Sequence, residues 1–256
     1  MTREELVASL LEVARGAGAI IMRHYAGAVS VRTKQDQSPV TAADEEAEEF
    51  ILPLLREIAP ALPVLAEESA AAGNLPDLSS GTFFLVDPLD GTREFLDRNG
   101  EFTVNIALVE KGRPVAGVVF APAASRMFFG SDIGAFEQDA PGAPARPIRT
   151  RAPVAGAIRA VASRSHRDAG TDLFLARHHV SDIVSAGSSL KFCLLAAGEA
   201  DLYPRMGPTM EWDTAAGHAV LLAAGGRVTL EDETTPLLYG KSGAGFRNPN
   251  FIAWGR

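Results

Sequence analysis

Four segments of the sequence place carboxylates where local structure will hold them still. Ser38-Pro39-Val40-Thr41-Ala42-Ala43-Asp44 leads from a loop into a helix, and Glu67-Glu68 follows a short apolar strand. Asp87-Pro88-Leu89-Asp90-Gly91-Thr92 follows a second such strand, and Trp212-Asp213-Thr214 opens a helix. Taken singly, each has an ordinary explanation. Asp44 and Asp213 suit helix N-termini, where the helix dipole favours an anion. Asp90-Gly91 is a common turn pair, and Glu67-Glu68 reads equally well as a solvated edge.

The third segment asks for more. Asp87 closes the apolar strand Phe83-Phe84-Leu85-Val86, so its side chain emerges at the carboxyl edge of a sheet, where α/β proteins place ligands. Pro88 stiffens the turn, Asp90 returns a second carboxylate, and Gly91 lets the backbone approach a ligand closely. Thr92 opens a short helix, Arg93–Leu96, whose free N–H groups suit a phosphate. Two aspartates beside such a cradle repel a phosphate unless cations lie between them. Hard oxygen ligands with few histidines select Mg²⁺ or Mn²⁺. Carboxylates, divalent cations and a phosphate cradle together describe metal-assisted phosphoester hydrolysis.

The elements that must position these groups follow from hydrophobic periodicity. Residues 4–24 read as an amphipathic helix and Val29–Lys34 as a strand, with Gln35–Ala42 a polar loop. A second helix is expected over Ala43–Ile58, with Phe50, Ile51, Leu54, Leu55 and Ile58 inward and Pro53 kinking it or shifting its boundary. Leu62–Ala66 is a short strand, and Ala70–Gly81 is loop-like. Thr103–Val109 and Pro114–Phe120 form a β-hairpin, and Arg126–Phe129 and Ala135–Gln138 add strands. Asp139–Pro147, rich in Pro, Ala and Gly, divides an α+β half (1–138), carrying most of the candidate metal ligands, from an α/β half (148–256) carrying Asp213 and the candidate substrate-specificity residues. In the second half strands at Ile158–Ser163, Ile183–Ala186 and Ala200–Tyr203 alternate with helices at Thr171–His178, Ser188–Ala197 and Thr214–Ala224. Strands at Arg227–Leu230 and Asn250–Trp254 follow.

Composition narrows the function. The chain has 256 residues, 46% hydrophobic and 22% charged, so disorder and a membrane-spanning architecture are poor readings. With 24 Lys plus Arg against 32 Asp plus Glu the net charge is −8, and the chain has no basic block to grip a nucleic-acid polymer. The single cysteine, Cys193, excludes an internal disulfide, favours a cytoplasmic setting and reads as a buried hydrophobe. The opening residues lack the charge pattern of a signal peptide. His218 reads as a core histidine, Trp212 as packing beside Asp213 to fix its rotamer, and His178-His179 as a helix-end dipole contact. Gly16-Ala17-Gly18 and Gly240-Lys241-Ser242 are incomplete nucleotide-binding patterns.

Asp87-Pro88-Leu89-Asp90-Gly91-Thr92 with Phe95, and Trp212-Asp213-Thr214-Ala215-Ala216-Gly217, resemble the two signatures of the inositol-monophosphatase superfamily. Glu67-Glu68-Ser69 and Val40-Thr41-Ala42-Ala43-Asp44 match its remaining site segments in the right order, so the resemblance spans nearly the whole chain. Within it, Arg98–Leu108, Ser163-Arg164-Ser165-His166, Gly187–Cys193 and Leu202–Thr209 are most similar to the bacterial bisphosphate-nucleotidase branch. The resemblance implies an α/β fold of stacked αβαβα layers. The implied reaction removes the 3′-phosphate of adenosine 3′,5′-bisphosphate (PAP) to leave AMP, with PAPS as a related substrate, as in PAP recycling during sulfate assimilation. Two or three Mg²⁺ ions per site, with Mn²⁺ as a substitute, and lithium inhibition are implied too.

The resemblance also assigns roles. Glu67, Asp87 and the Leu89 carbonyl hold a first metal; Asp87, Asp90 and Asp213 hold a second. Asp44 and Thr92 orient and deprotonate the attacking water, with Glu68 assisting. The Gly91 and Thr92 N–H groups hold the transferred phosphoryl, and Glu67, Leu89, Asp90 and Asp213 border the substrate. Gly187, Ser188, Lys191 and Arg205 are candidates for the second phosphate and the base, as are Ser163 and Arg164. Lys191 is equally explained as a solvated surface charge. Arg205 stands where inositol phosphatases usually place an acidic residue for ring hydroxyls, which disfavours inositol monophosphate. Relatives include monomers and homodimers, some at the cytoplasmic face of a membrane. The alternatives are an inositol monophosphatase, a fructose-1,6-bisphosphatase, or a non-catalytic metal- or nucleotide-binding sensor.

Overall fold

A computed structural model of the chain describes residues 1–27, 31–33, 39–140, 142–153, 157–163, 168–180 and 182–256. Helix α1 (Arg3–Ala26) begins at a capping box in which Thr2 and Glu5 satisfy each other's backbone N–H groups. Strands β1 (Val31–Thr33) and β2 (Pro39–Thr41) pair antiparallel, so residues 39–41 form a strand where a loop was expected. Val29, Ser30, Lys34 and residues 35–38 lie outside the described residues. Helix α2 (Ala42–Ile58) starts at a second capping box, formed by Thr41 and Asp44, and runs through Pro53 without interruption.

Next come β3 (Val64–Ala66), α3 (Glu67–Ala71), β4 (Thr82–Asp90) and α4 (Thr92–Leu96). The strands β5 (Thr103–Glu110), β6 (Arg113–Ala121), β7 (Arg126–Ser131), β8 (Gly134–Gln138) and β9 (Arg146–Ile148) complete a seven-stranded sheet in sequence order. All its neighbours are antiparallel except β3 and β4, which run parallel. Strand β9 falls in the segment expected to be a linker and instead extends this sheet.

The second sheet comprises β10 (Arg159–Ser163), β11 (Asp182–Ala186), β12 (Leu202–Arg205), β14 (Arg227–Leu230) and β16 (Phe251–Trp254), in the order β11-β10-β12-β16-β14. Its pairs β10–β11 and β10–β12 are parallel, and both pairs of β16 are antiparallel. Helix α5 (Ala169–Arg177) covers its outer face, where Phe174 and Leu175 pack on Leu202, Ile252 and Trp254. Helices α6 (Leu190–Ala196) and α7 (Ala215–Ala223) lie between the sheets. The short pair β13 (Thr209–Met210) and β15 (Arg247–Asn248), with a 3₁₀ turn at Ser242–Ala244, flanks α7.

The layering follows from side-chain alternation. On β4, Phe84 and Val86 join Leu10, Val13, Ile51 and Leu55 beneath α1 and α2. Phe83 and Leu85 join Val119, Phe128, Phe192 and Val220 on the other face. Two glycines let α7 lie directly on the sheet: a Cβ at Gly117 would sit 2.4 Å from the Ala216 carbonyl, and one at Gly130 would sit 2.8 Å from Ala223 Cβ. The result is the expected αβαβα sandwich. Among the described residues, no helix is long and apolar enough to cross a membrane.

Candidate active site

The acidic residues converge because of one local exception to the sheet's pattern. The parallel pairing of β3 with β4 sets Ala66 opposite Val86, so the chain delivers Glu67 and Asp87 side by side at the same end of the two strands. Pairing with β5 then shifts by one residue between Asp87 and Asp90, a bulge that re-aims the end of β4. The Leu89 N–H donates to Asp87 Oδ1 at 3.0 Å, holding the bulge. Gly91 adopts φ +92°, and a Cβ there would sit 3.2 Å from the Glu101 carbonyl, so a side chain is disfavoured on both counts.

Asp213 arrives from the other sequence half, and the Met210 N–H donates to its Oδ2 at 2.8 Å. This backbone contact holds the carboxylate; the neighbouring Trp212 is buried, its ring 6.5 Å from that of Phe246. Glu67, Asp87 and Asp213 each offer an oxygen within 4.8 Å of the others. Three carboxylates at this range repel one another. Burial, reinforced by Asp90 and Glu67, pushes the Asp213 acid well above the usual carboxylate range. An all-oxygen, multiply anionic donor set drawn from three separate segments fits a hard divalent cation.

Asp44 and Thr92 meet as expected. Thr92 Oγ1 lies 3.1 Å from Asp44 Oδ1 and 3.4 Å from the Leu89 carbonyl, and its single proton suits the nearer carboxylate. Asp44 Oδ2 is already taken by the Thr41 N–H (2.8 Å) and the Thr41 hydroxyl (2.7 Å), which fixes the plane of the carboxylate.

A cleft of 770 Å³ opens over this region. Glu67, Asp90, Gly91, Thr92 and Asp213 line it together with Ser163, Ser188, Lys191 and Arg205, so acidic and basic groups share one space. Lys191 is buried, donates to the Ser188 carbonyl, and lies 5.4 Å from the centre of the Tyr203 ring, which corrects the surface-charge reading. Burial lowers its pKa to about 8, against the opposing field of Asp90. Arg205 is also buried. One guanidinium nitrogen donates to the Pro208 carbonyl at 2.9 Å, while Nε is buried without a partner among the described residues.

Two expected residues, Gly187 and Glu68, fall outside the cleft lining, whereas Asp90 lines it. Asp90 stands outside the three-carboxylate group; its Oδ2 accepts from the Ser189 N–H at 2.6 Å and from Asn105 Nδ2 at 3.3 Å. Gly187 does not line the cleft: its N–H goes to Glu101 Oε2 at 2.9 Å, and a Cβ would meet the Glu101 carbonyl at 2.6 Å. Glu68 is in neither the cleft lining nor the carboxylate group. Leu89 is buried, and its carbonyl oxygen is the atom it can offer to a cation. Arg164, with Ser165 and His166, lies outside the described residues. His218 is a core residue, its Nδ1 2.9 Å from the Tyr239 hydroxyl, and Cys193 is fully buried.

Three polar residues around the site were missed. Ser189 donates its hydroxyl to the Asp213 carbonyl at 2.6 Å and accepts from Asn105 Nδ2 at 2.9 Å, so it ties Asp90 to Asp213. Glu48 accepts three hydrogen bonds from the first turn of α3. Its spacing of four from Asp44 puts both on one helical face, the only sequence signal that pointed to it.

This arrangement has known counterparts. The chain belongs to the inositol monophosphatase family, which matches residues 2–252. It is 46% identical to the 3′(2′),5′-bisphosphate nucleotidase CysQ of Salmonella typhimurium, over 87% of this chain and 89% of that one. Identity to the protein of the same name in Escherichia coli K12 is 44%, over 94% and 96%. Among solved structures, CysQ from Bacteroides thetaiotaomicron superposes with a TM-score of 0.83 at 36% identity, covering 99% of this chain and 98% of the other. An inositol monophosphatase from Anabaena superposes with a TM-score of 0.77 at 27% identity, covering 98% and 91%.

Proposed function

We propose that the chain is a metal-dependent 3′(2′),5′-bisphosphate nucleotidase that removes the 3′-phosphate of PAP to give AMP and accepts PAPS as a related substrate. The observation that carries this reading is the cleft itself, where Glu67 and Asp213 of the three-carboxylate group, with Asp90, share one space with buried Lys191 and Arg205. A single-phosphate site needs the first set alone; a bisphosphate needs both. The similarity to the CysQ nucleotidases supports the same substrate.

Glu67, Asp87 and Asp213, with the Leu89 carbonyl and Asp90 as further donors, are the residues to hold Mg²⁺ or Mn²⁺, two or three ions per site. When bound, such ions neutralise phosphoryl charge and activate water. The remaining work belongs to the chain. Thr92 Oγ1 donates its proton to Asp44 Oδ1 and so turns a lone pair toward the cleft, ready to accept a proton from the attacking water. Thr41 keeps Asp44 from rotating away. The Gly91 and Thr92 N–H groups, with φ set by Gly91, face the transferred phosphoryl. Lys191 and Arg205 take the second phosphate, Arg205 as a planar fork and Lys191 as a point charge. Ser188 and Ser163 border the nucleoside.

The test is a panel of phosphate release from PAP, inositol 1-phosphate and fructose 1,6-bisphosphate, with Mg²⁺ and with added Li⁺. PAP is expected to be the preferred substrate and Li⁺ to inhibit; preference for inositol 1-phosphate overturns the substrate reading. Arg205→Glu should lower PAP turnover by about tenfold or more relative to a monophosphate ester, as for loss of one charge-assisted hydrogen bond. An equal loss on both removes Arg205 from specificity.

A further inference from the structure

Helix α3 has an unusual start. Its N-cap residue, Ala66, has no side chain able to accept a hydrogen bond. The cap comes instead from α2: Glu48 Oε2 accepts from the Glu68 N–H at 2.8 Å, and Oε1 accepts from the Ser69 N–H at 2.7 Å and the Ser69 hydroxyl at 2.6 Å. Glu48 is 4% exposed, and among the described residues no lysine or arginine pairs with it. Burying a carboxylate without a cation is costly, and is tolerated here only because its oxygens are well supplied with donors. A serine or aspartate at position 66 would cap the same turn locally at smaller cost. The long-range solution therefore does something a local cap does not: it fixes the first turn of α3 in the frame of α2.

That frame matters because of what the two turns carry. One helical turn before Glu48 on the same face, α2 presents Asp44, whose Oδ1 meets the Thr92 hydroxyl. The turn of α3 that Glu48 grips begins with Glu67. We propose that Glu48 is a positioning residue for the metal centre: by holding the Glu68 and Ser69 donors it sets the place of Glu67 against Asp87 and Asp213. The proposal rests on the reading of Glu67, Asp87 and Asp213 as cation ligands. Partners that orient ligands from behind typically contribute a factor of ten to a hundred in metal affinity.

The experiment is Mn²⁺ binding by titration calorimetry on the full chain, paired with the Mg²⁺ dependence of turnover. Glu48→Gln keeps the volume but turns an amide NH₂ toward N–H donors, so at least one of the three bonds is lost. Mn²⁺ affinity should fall roughly 10- to 100-fold, and the Mg²⁺ concentration for half-maximal activity should rise in parallel. A lower melting temperature of the metal-free protein with unchanged Mn²⁺ affinity overturns the proposal, because that is the behaviour of a purely structural cap. Ser69→Ala removes one bond of the three and serves should Glu48→Gln not fold; it should weaken Mn²⁺ binding in the same direction, and wild-type affinity in it also overturns the proposal. Asp87→Asn separates the two claims. It should abolish binding, and wild-type affinity in that variant defeats the ligand reading itself, whatever Glu48 does.

Discussion

His218 sits four residues from Thr214 on the helix that begins at the active site, yet takes no part in the site. Burial lowers its pKa to about 3, with Arg113 and Lys241 adding to the effect, and Nδ1 is engaged by Tyr239. An unfolded histidine binds a proton below its ordinary value near 6.5, whereas this folded one does not until about pH 3. The unfolded state therefore gains protons across that window, and stability falls as pH drops. Between pH 7 and pH 5 the loss from this group is about 2 kcal/mol. His218→Gln, which keeps a polar partner for the Tyr239 hydroxyl, should lack that increment in urea unfolding at the two pH values. The same pH slope in both proteins would show that other groups carry the acid sensitivity. Asp213 has the opposite sign: its raised pKa means that the ionised form costs stability at neutral pH unless a cation compensates.

At the scale of elements, α7 is the piece whose placement the site can least spare, since Asp213 immediately precedes it. Gly117→Ala would drive a methyl into the Ala216 carbonyl, 2.4 Å away, and backbone cannot step aside as a side-chain tip can. Overpacking of this kind costs about 1–3 kcal/mol, to be measured as a drop in urea midpoint. Gly243→Ala, where a Cβ meets nothing within 4 Å, is the control and should be near neutral. The elements that periodicity revealed are those long enough to show a period: α1, α2, and the β5–β6 hairpin. Those it missed are strands of two or three residues, such as β2, β9, β13 and β15, and the five-residue α3. Too short to carry a pattern, they are made by partners far away; β13 exists because Thr209 pairs with Asn248. The same division runs through the site. Asp87, Asp90, Thr92 and Asp213 were legible because their neighbours define local turns. Glu48, Asn105 and Ser189 were not, because a polar residue's role there depends on a partner 20 or more residues away. Pro53 does not end α2, and Ile51 and Leu55 on either side of it are both fully buried.

On the scale of the molecule, the carboxylate group is assembled from both halves of the sequence, so a cation that binds it recognises only the folded chain. Ligand at a hundred times its dissociation constant then adds about 2.7 kcal/mol to stability. Unfolding in saturating Mg²⁺ and in EDTA should differ by that order. Asp213→Asn should erase the difference and, in EDTA, unfold at higher denaturant than the wild type, because one of three repelling charges is gone. A metal-independent midpoint in the wild type would mean that the cluster holds no cation in solution. The three carboxylates are nevertheless not equally anchored. Asp87 belongs to a strand flanked on both sides, whereas Glu67 follows β3, a three-residue strand at the rim of the sheet with a single neighbour. Rim strands open at lower free energy than interior ones. Amide hydrogen exchange should therefore show β3 opening before β4, so that Glu67 is released while Asp87 stays in register.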